Sequence, residues 1–263
     1  MSPWQCIAVW WGIAALAMTG GWLWQRKHCN AGIVDVLWTL GIGGAALFYA
    51  ASLDGAPLPR TLLALLAGLW SLRLALHLAR RVIGEPEDGR YRRLRDSWQG
   101  HQGKMFGMFQ FQALLVVGFS VAFLPVARNR VRDFGFWTAA AILVWAASVG
   151  GEWLADRQLA RFRADPANRG RTCRSGLWRY SRHPNYFFEW LHWFTYPALA
   201  VGSRIAWLSM LGPVIMYVFL RWLSGIPFTE AQALRTRGED YRRYQRETPL
   251  LFPWFPHSER ERP

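Results

Sequence analysis

The chain has 263 residues, of which 52% are hydrophobic and 18% charged, and it carries 17 tryptophans. Charged residues fall below the usual quarter of a soluble domain, yet the net charge is +14. Because the charge is gathered in blocks between long apolar runs, a soluble nucleic-acid-binding domain is excluded and no nucleic-acid partner is expected.

Apolar runs near the length that crosses a bilayer, roughly 20 residues, recur along the chain. They predict spans over 4–24, 33–53, 61–79, 109–127, 134–154, 186–201 and 205–223. Period-2 alternation is absent, and only helices or closed barrels satisfy their backbone in lipid. The expected fold is therefore an all-α integral membrane protein with seven transmembrane helices. The first run has no basic stretch before it and no small-residue cleavage site after it, so it reads as a membrane helix rather than a signal peptide.

Most of the positive charge lies in 80–104, 156–182 and 235–262. The positive-inside rule puts these three segments in the cytoplasm. An odd number of spans then places the N-terminus outside and the C-terminus in the cytoplasm. ARNRVRD at 127–133 breaks the rule with three arginines, and the sequence offers no account of it. Anionic lipid beside the basic segments explains part of the net charge.

Polar intruders then follow in chain order. Asp35, in GIVDVLW, lies in the first turn of the second span between apolar neighbours. Arg73 and His77 are four apart on the third span, and Asp35 with Arg73 makes a plausible charge pair. The insert EPEDGRYRRLRDSW reads as a loop with a short helix lying on the membrane surface. Glu152 and Asp156 close the fifth span at i and i+4. The segment 156–182 holds eight arginines against two aspartates and no lysine. Topology alone does not require arginine only, whereas planar forked donors suit phosphate. GIGG at 41–44 lies inside a span with no strand before it, so it is helix packing and not a dinucleotide fingerprint.

SRHPNYFFEWLHWFTY, 181–196, carries the densest chemistry. Entered through Pro184, a helix from Tyr186 places Asn185, Glu189, His192, Trp193 and Tyr196 on one face, with Phe187, Leu191 and Phe194 opposite. A carboxylate within a span marks a site or an ion pair. Glu230 follows the last span, and GEDYRRYQRETPLLFPW adds Tyr241 and Tyr244. Together these residues outline a cytoplasmic cavity, with arginines for phosphates, carboxylates for ribose hydroxyls and aromatics for a ring. Cys6, Cys29 and Cys173 are widely spaced and the histidines form no paired spacing, so no metal site is expected.

GLWRYSRHPNYFFEW, the spacing of Asp156 and Arg163, and the closing GEDYRRYQRETPLLFPWF resemble the steroid 5α-reductase superfamily, specifically its bacterial branch of unknown function, DUF1295. IVDVLW and LWSLRLALHLARR resemble that branch as well. The resemblance implies a seven-helix reductase of conjugated carbon–carbon double bonds using NADPH. It implies a lipid-substrate half at 1–130 and an NADPH half at 134–255. Cofactor contacts would fall to Glu152, Asp156, Arg163, Arg171, Tyr180, Arg182, His183, Asn185, Glu189, Trp193, Glu230, Tyr241 and Tyr244. Asp35, Arg73 and Glu189 are the expected catalytic residues. The glutamate and tyrosine that hold the carbonyl in steroid reductases have no matching pair here. Asp35 either donates to the carbonyl oxygen as an acid or, as a carboxylate, orients Arg73 or His77. Two other readings stay open. One is an S-adenosylmethionine-dependent methyltransferase of the isoprenylcysteine or phospholipid type, which shares Arg-His-Pro-x-Tyr. The other is a non-catalytic lipid-binding protein.

Overall fold

A computed structural model describes residues 1–257; the end of the basic 235–262 segment lies outside the described residues. The helices are α1 (Pro3–His28), α2 (Ile33–Ser52), α3 (Pro57–Gly84), α4 (Gly89–Ser97), α5 (Gln102–Ser120), α6 (Leu124–Ala127), α7 (Phe136–Ala164), α8 (Pro184–His192), α9 (Thr195–Ala200), α10 (Leu211–Val218) and α11 (Ile226–Glu247). Among the described residues there is no strand. Six segments are long and apolar enough to span a membrane: α1, α2, α3, Gln102–Ala127, α7 and Ala206–Glu247. The protein is an all-α integral membrane protein.

The expected sixth span is not among the six. α8 ends at His192, where Trp193 and Phe194 donate to the carbonyls of Trp190 and Leu191, three residues back, and tighten the last turn. Four residues on, Pro197 has no N–H to offer the carbonyl of Trp193, so a continuous helix would lose a bond there. Other boundaries also shift. α7 runs to Ala164, so Asp156, Arg157, Arg161 and Arg163 ride on a helix instead of a loop. α3 starts at Pro57, which puts Arg60 inside a spanning helix.

The chain forms two compact units. The first comprises Met1–Ala139 and Tyr196–Gly212; the second comprises Ala140–Thr195 and the residues from Pro213 onward. In the first unit α2 packs most extensively on α3 and also meets α1 and α5, which pack on each other. Small residues allow this approach, as is usual where no hydrophobic drive separates lipid from helix. A Cβ on Gly43 would sit 2.3 Å from Ser71, whose hydroxyl donates to the carbonyl of Thr39 at 2.8 Å. Trp10 lies over Gly44 and donates from its indole to the carbonyl of Gly41 at 2.9 Å. Met18, Val34, Met105, Phe109, Ala113 and Val116 form the buried centre.

At the far end of this unit, the residues after α6 close on the turn between α2 and α3. Gly55 and Ala56 donate their amides to the carbonyls of Ala127 and Asn129. The buried Asn129 side chain donates in turn to Leu199 and Val201. Buried backbone in a membrane protein must be satisfied from within, and Asn129 does that for the α2–α3 turn and for residues 199–201 at once.

In the second unit, α8 and α10 share an aromatic seam of Phe187, Trp190 and Tyr217, on which Phe252 packs. The indole of Trp190 donates to the carbonyl of Pro213 at 3.1 Å. Beyond α10, residues Phe219–Leu223 widen into a π-turn before α11 starts. α11 itself is interrupted at Gly238 (φ 51°, ψ −123°), a backbone shape that favours glycine.

Candidate functional site

Glu230 organises the polar part of the second unit. Its carboxylate accepts from Arg182 Nη1 at 3.1 Å, His183 Nε2 at 2.9 Å and Tyr241 Oη at 2.7 Å, and from the Gln245 amide. Four donors on one carboxylate favour its charged form. His183 is buried, and burial holds its imidazole below the usual histidine range even though the Glu230 carboxylate pulls the other way. A neutral ring donating to a carboxylate follows. The His183 ring also lies parallel to that of Tyr186 at 5.4 Å, and the Tyr186 hydroxyl meets that of Thr229 at 3.1 Å. The Arg-His-Pro-Asn run therefore folds back onto α11 rather than waving as a surface loop.

The rest of the motif is held from both sides. Ser181 donates its hydroxyl to the carbonyl of Leu251 and accepts from the amide of His183. The Tyr244 hydroxyl donates to the carbonyls of Trp178 and Ser181. Trp178 donates from its indole to the carbonyl of Ala155, and Leu177 from its amide to Gln158, which pins the segment to α7. Gly176 (φ 60°) takes a left-handed shape that favours glycine, and a Cβ there would have to displace the end of the Gln158 side chain. Arg174 binds Asp240 and Glu247, and Asp240 also accepts from the amide of Thr172.

Within this frame the structure brings Asp156 and Asn185 together: the Asn185 amide donates to the Asp156 carboxylate at 3.2 Å. Glu152, one turn before Asp156, is buried, as are Glu189, His192 and Trp193. The polar stripe predicted for 185–196 is thus the inward face of α8, although the helix ends before Tyr196. Arg163 and Arg171 are exposed, as are Arg169 and Arg179. Tyr180 is exposed and meets Phe255 edge-on. Tyr241 and Tyr244 are buried, and Arg237 and Arg174 lie over their rings at 4.8 and 5.8 Å. Stacking of a ligand ring on either would require those guanidiniums to move.

Asp35 and Arg73 belong to the first unit. The sequence reading paired them; the structure supplies Asp35 with two partners that reading did not name. Tyr91 Oη donates to its Oδ1 at 2.6 Å and Arg90 Nη2 to its Oδ2 at 3.1 Å. Both oxygens accept, so the arrangement is that of a carboxylate orienting donors. Burial pushes the Tyr91 hydroxyl well up, and the Asp35 charge adds to it, so the phenol keeps its proton. Burial alone would raise Asp88, but Arg90 outweighs it and holds that carboxylate below the usual range. Next to this cluster Glu87 takes a forked pair from Arg95 at 2.8 and 3.2 Å and the amide of Ala31 at 2.8 Å. Arg95 also donates to Gln25, which donates to Gln102. Helix α4 is consequently fastened onto the bundle by its own charges. The alternation of acids and arginines in EPEDGRYRRLRDSW was the only trace of this in the sequence. His77 is exposed.

Exposed guanidiniums of the second unit are donors of the kind that hold phosphates. Arg163, Arg169, Arg171 and Arg179 are exposed, and in the same stretch of chain the buried Thr172 Oγ1 and Arg182 Nε have no hydrogen-bond partner among the described residues. Such atoms are costly unless something meets them. Among the described residues no group of three or more potential metal ligands occurs.

Residues 21–248 match the family described as "Protein of unknown function (DUF1295)". An uncharacterized protein of Schizosaccharomyces pombe is 28% identical over 218 residues, 70% of this chain. The aligned region covers 63% of that protein, less than two thirds of its length. No solved structure matches the chain.

Proposed function

The chain belongs to the DUF1295 family, and we propose that it is a membrane oxidoreductase that moves a hydride from NADPH to a conjugated, enone-like double bond of a steroid-like or other lipid. The observation that carries this reading is the Asp156–Asn185 hydrogen bond, flanked by the buried Glu152 and Glu189 at the foot of an arginine-only segment. Carboxylates and an amide suit ribose hydroxyls, and guanidiniums suit phosphates.

In this reading Arg163 and Arg171 hold phosphates, Asp156, Asn185 and Glu189 hold the sugar and ring side, and Trp193 packs beneath them. Arg182, His183 and Tyr241 act through Glu230 to fix the turn. NADPH, when bound, supplies the hydride. Negative charge then develops on the substrate's carbonyl oxygen, and a preorganised donor must meet it. With both Asp35 oxygens already accepting from Tyr91 and Arg90, Asp35 orients those donors rather than donating itself. Placing the arginine-rich segments in the cytoplasm, where the cofactor is, follows the positive-inside rule.

Calorimetry of the detergent-purified protein with NADPH and with S-adenosylmethionine tests the reading. Binding of NADPH alone supports it. Binding of S-adenosylmethionine alone replaces it with a methyltransferase that uses the same Arg-His-Pro-Asn turn.

A further inference from the structure

The end of the first unit where α2 runs into α3 carries an open groove that the proposed reduction does not use. Its walls are Leu47, Ala50, Ala51, Pro57, Thr61 and Ala64, with Arg60 as the only charged residue lining it. It offers about 370 Å³, within the roughly 300–1,000 Å³ of sites that take small molecules. Leu47, Ala51, Pro57 and Thr61 are exposed, so in a bilayer this groove faces lipid chains.

An arginine inside a spanning helix is expensive unless its donors are met. Arg60 gives Nε–H to the carbonyl of Ala50 and one Nη2–H to that of Ala51, capping the C-terminal end of α2. A guanidinium has five N–H groups. Two are therefore placed, and the rest remain beside an apolar channel with no other partner among the described residues.

The surroundings add charge of the same sign. The amides of Gly55 and Ala56 hold Ala127 and Asn129, which sets Arg128 and Arg130 beside the α2–α3 turn. Asn129 draws in 199–201, and Arg132 and Arg204 follow within a few residues. Arg128, Arg130, Arg132 and Arg204 are all exposed, and the acidic residues on these loops are Asp54 and Asp133. Arg128, Arg130 and Arg132 are the arginines that break the positive-inside pattern.

We propose that this groove binds an anionic phospholipid, with an acyl chain along α2 and α3 and the phosphate on Arg60, Arg128 and Arg130. Chain and charge are both needed: the apolar walls exclude a free anion, and the unplaced Arg60 donors disfavour a neutral lipid.

Native mass spectrometry of the full-length protein, delipidated and then offered phosphatidylglycerol or phosphatidylcholine, tests this. Phosphatidylglycerol should be retained about tenfold more, the equivalent of one charge-assisted contact. Arg60→Gln keeps amide donors for the α2 carbonyls but drops the charge. Thr61→Trp fills the groove from an exposed position and leaves every arginine in place. Each variant should lose most of the preference while remaining monodisperse. Equal retention of the two lipids, or an undiminished preference in either variant, overturns the proposal. Displacement of the lipid by soluble glycerol phosphate at similar concentration also overturns it, because the headgroup alone would then suffice.

Discussion

His183 Nε2 lies 2.9 Å from the Glu230 carboxylate and joins the turn before α8 to the first turns of α11, 47 residues later. The same carboxylate takes Arg182, so two consecutive residues of the Arg-His-Pro-Asn run are spent on one acid. The side chains of Arg182 and Glu230 are only 12% and 14% exposed. Removing one partner of such a pair leaves the other charge buried. Glu230→Gln should therefore cost about 3–5 kcal/mol, seen as a lower melting temperature in detergent. A variant as stable as the parent would mean that Glu230 is not the keystone of this turn.

The same contact sets a pH dependence. Burial holds His183 below its usual range, with Arg182 and Arg237 adding to the effect and Glu230 opposing it. On unfolding the ring regains a value of about 6.5, so below that pH the unfolded chain binds more protons than the folded one. Stability is then complete above about pH 6.5 and declines as pH falls below it. His183→Gln keeps an N–H for Glu230 and removes the titration. Melting temperatures between about pH 7.5 and 5.5 should fall less in that variant than in the parent; parallel curves would refute the assignment.

Tyr91 is the test of the Asp35 cluster. Its hydroxyl donates to a carboxylate, a bond worth roughly 1.5–3 kcal/mol, and Tyr91→Phe removes it with little change in volume. Stability should drop by that amount. If Asp35 acts by orienting donors, Asp35→Leu should abolish reduction while NADPH binding survives, since the arginines assigned to the cofactor are on the second unit. Asp35→Leu reducing substrate at the parent rate would remove Asp35 from the mechanism.

How much of this was legible beforehand depends on the range of each interaction. Apolar runs mark spans because burial in lipid is a local requirement, and the motif around Asn185 and Glu189 showed its inward face through helical spacing alone. The break after His192 carried no such mark: FFEWLHWFTY is equally apolar as one helix or two, and only the missing N–H of Pro197 hinted at it. The stretch with Glu87, Arg90 and Tyr91 read as a short helix on the membrane surface because the partners that dock it, Ala31 and Asp35, lie 55 or more residues away. Arg60 was missed for a simpler reason. Hydropathy starts the third span after it, whereas Pro57, with its fixed φ and no N–H to lose, starts the helix before it.

Arg171 gives the cleanest probe of the cofactor assignment because it is exposed and its loss should not disturb packing. Arg171→Ala should raise the NADPH dissociation constant about tenfold, near 1.4 kcal/mol, with an unchanged melting temperature. NADH lacks the 2′-phosphate and should bind more weakly than NADPH to the parent. Equal affinity for the two cofactors would sink the role given to these arginines.

Glu189 separates a ligand from a structural acid. It sits on the inward face of α8, one turn past Asn185, and is only 9% exposed. If it meets the cofactor or substrate, Glu189→Gln keeps the shape and loses the charge, so the protein should fold at its normal melting temperature yet bind NADPH or turn over substrate poorly. If instead it neutralises a cation within the membrane part, the same change strands that cation, and about 3–5 kcal/mol of stability goes with it. Measuring both quantities on one preparation distinguishes the cases, because a structural loss appears without ligand. The reductase reading expects the first outcome. A variant with parental stability, cofactor affinity and turnover would show that neither role is needed, and the carboxylate at the heart of the predicted stripe would have to be given up.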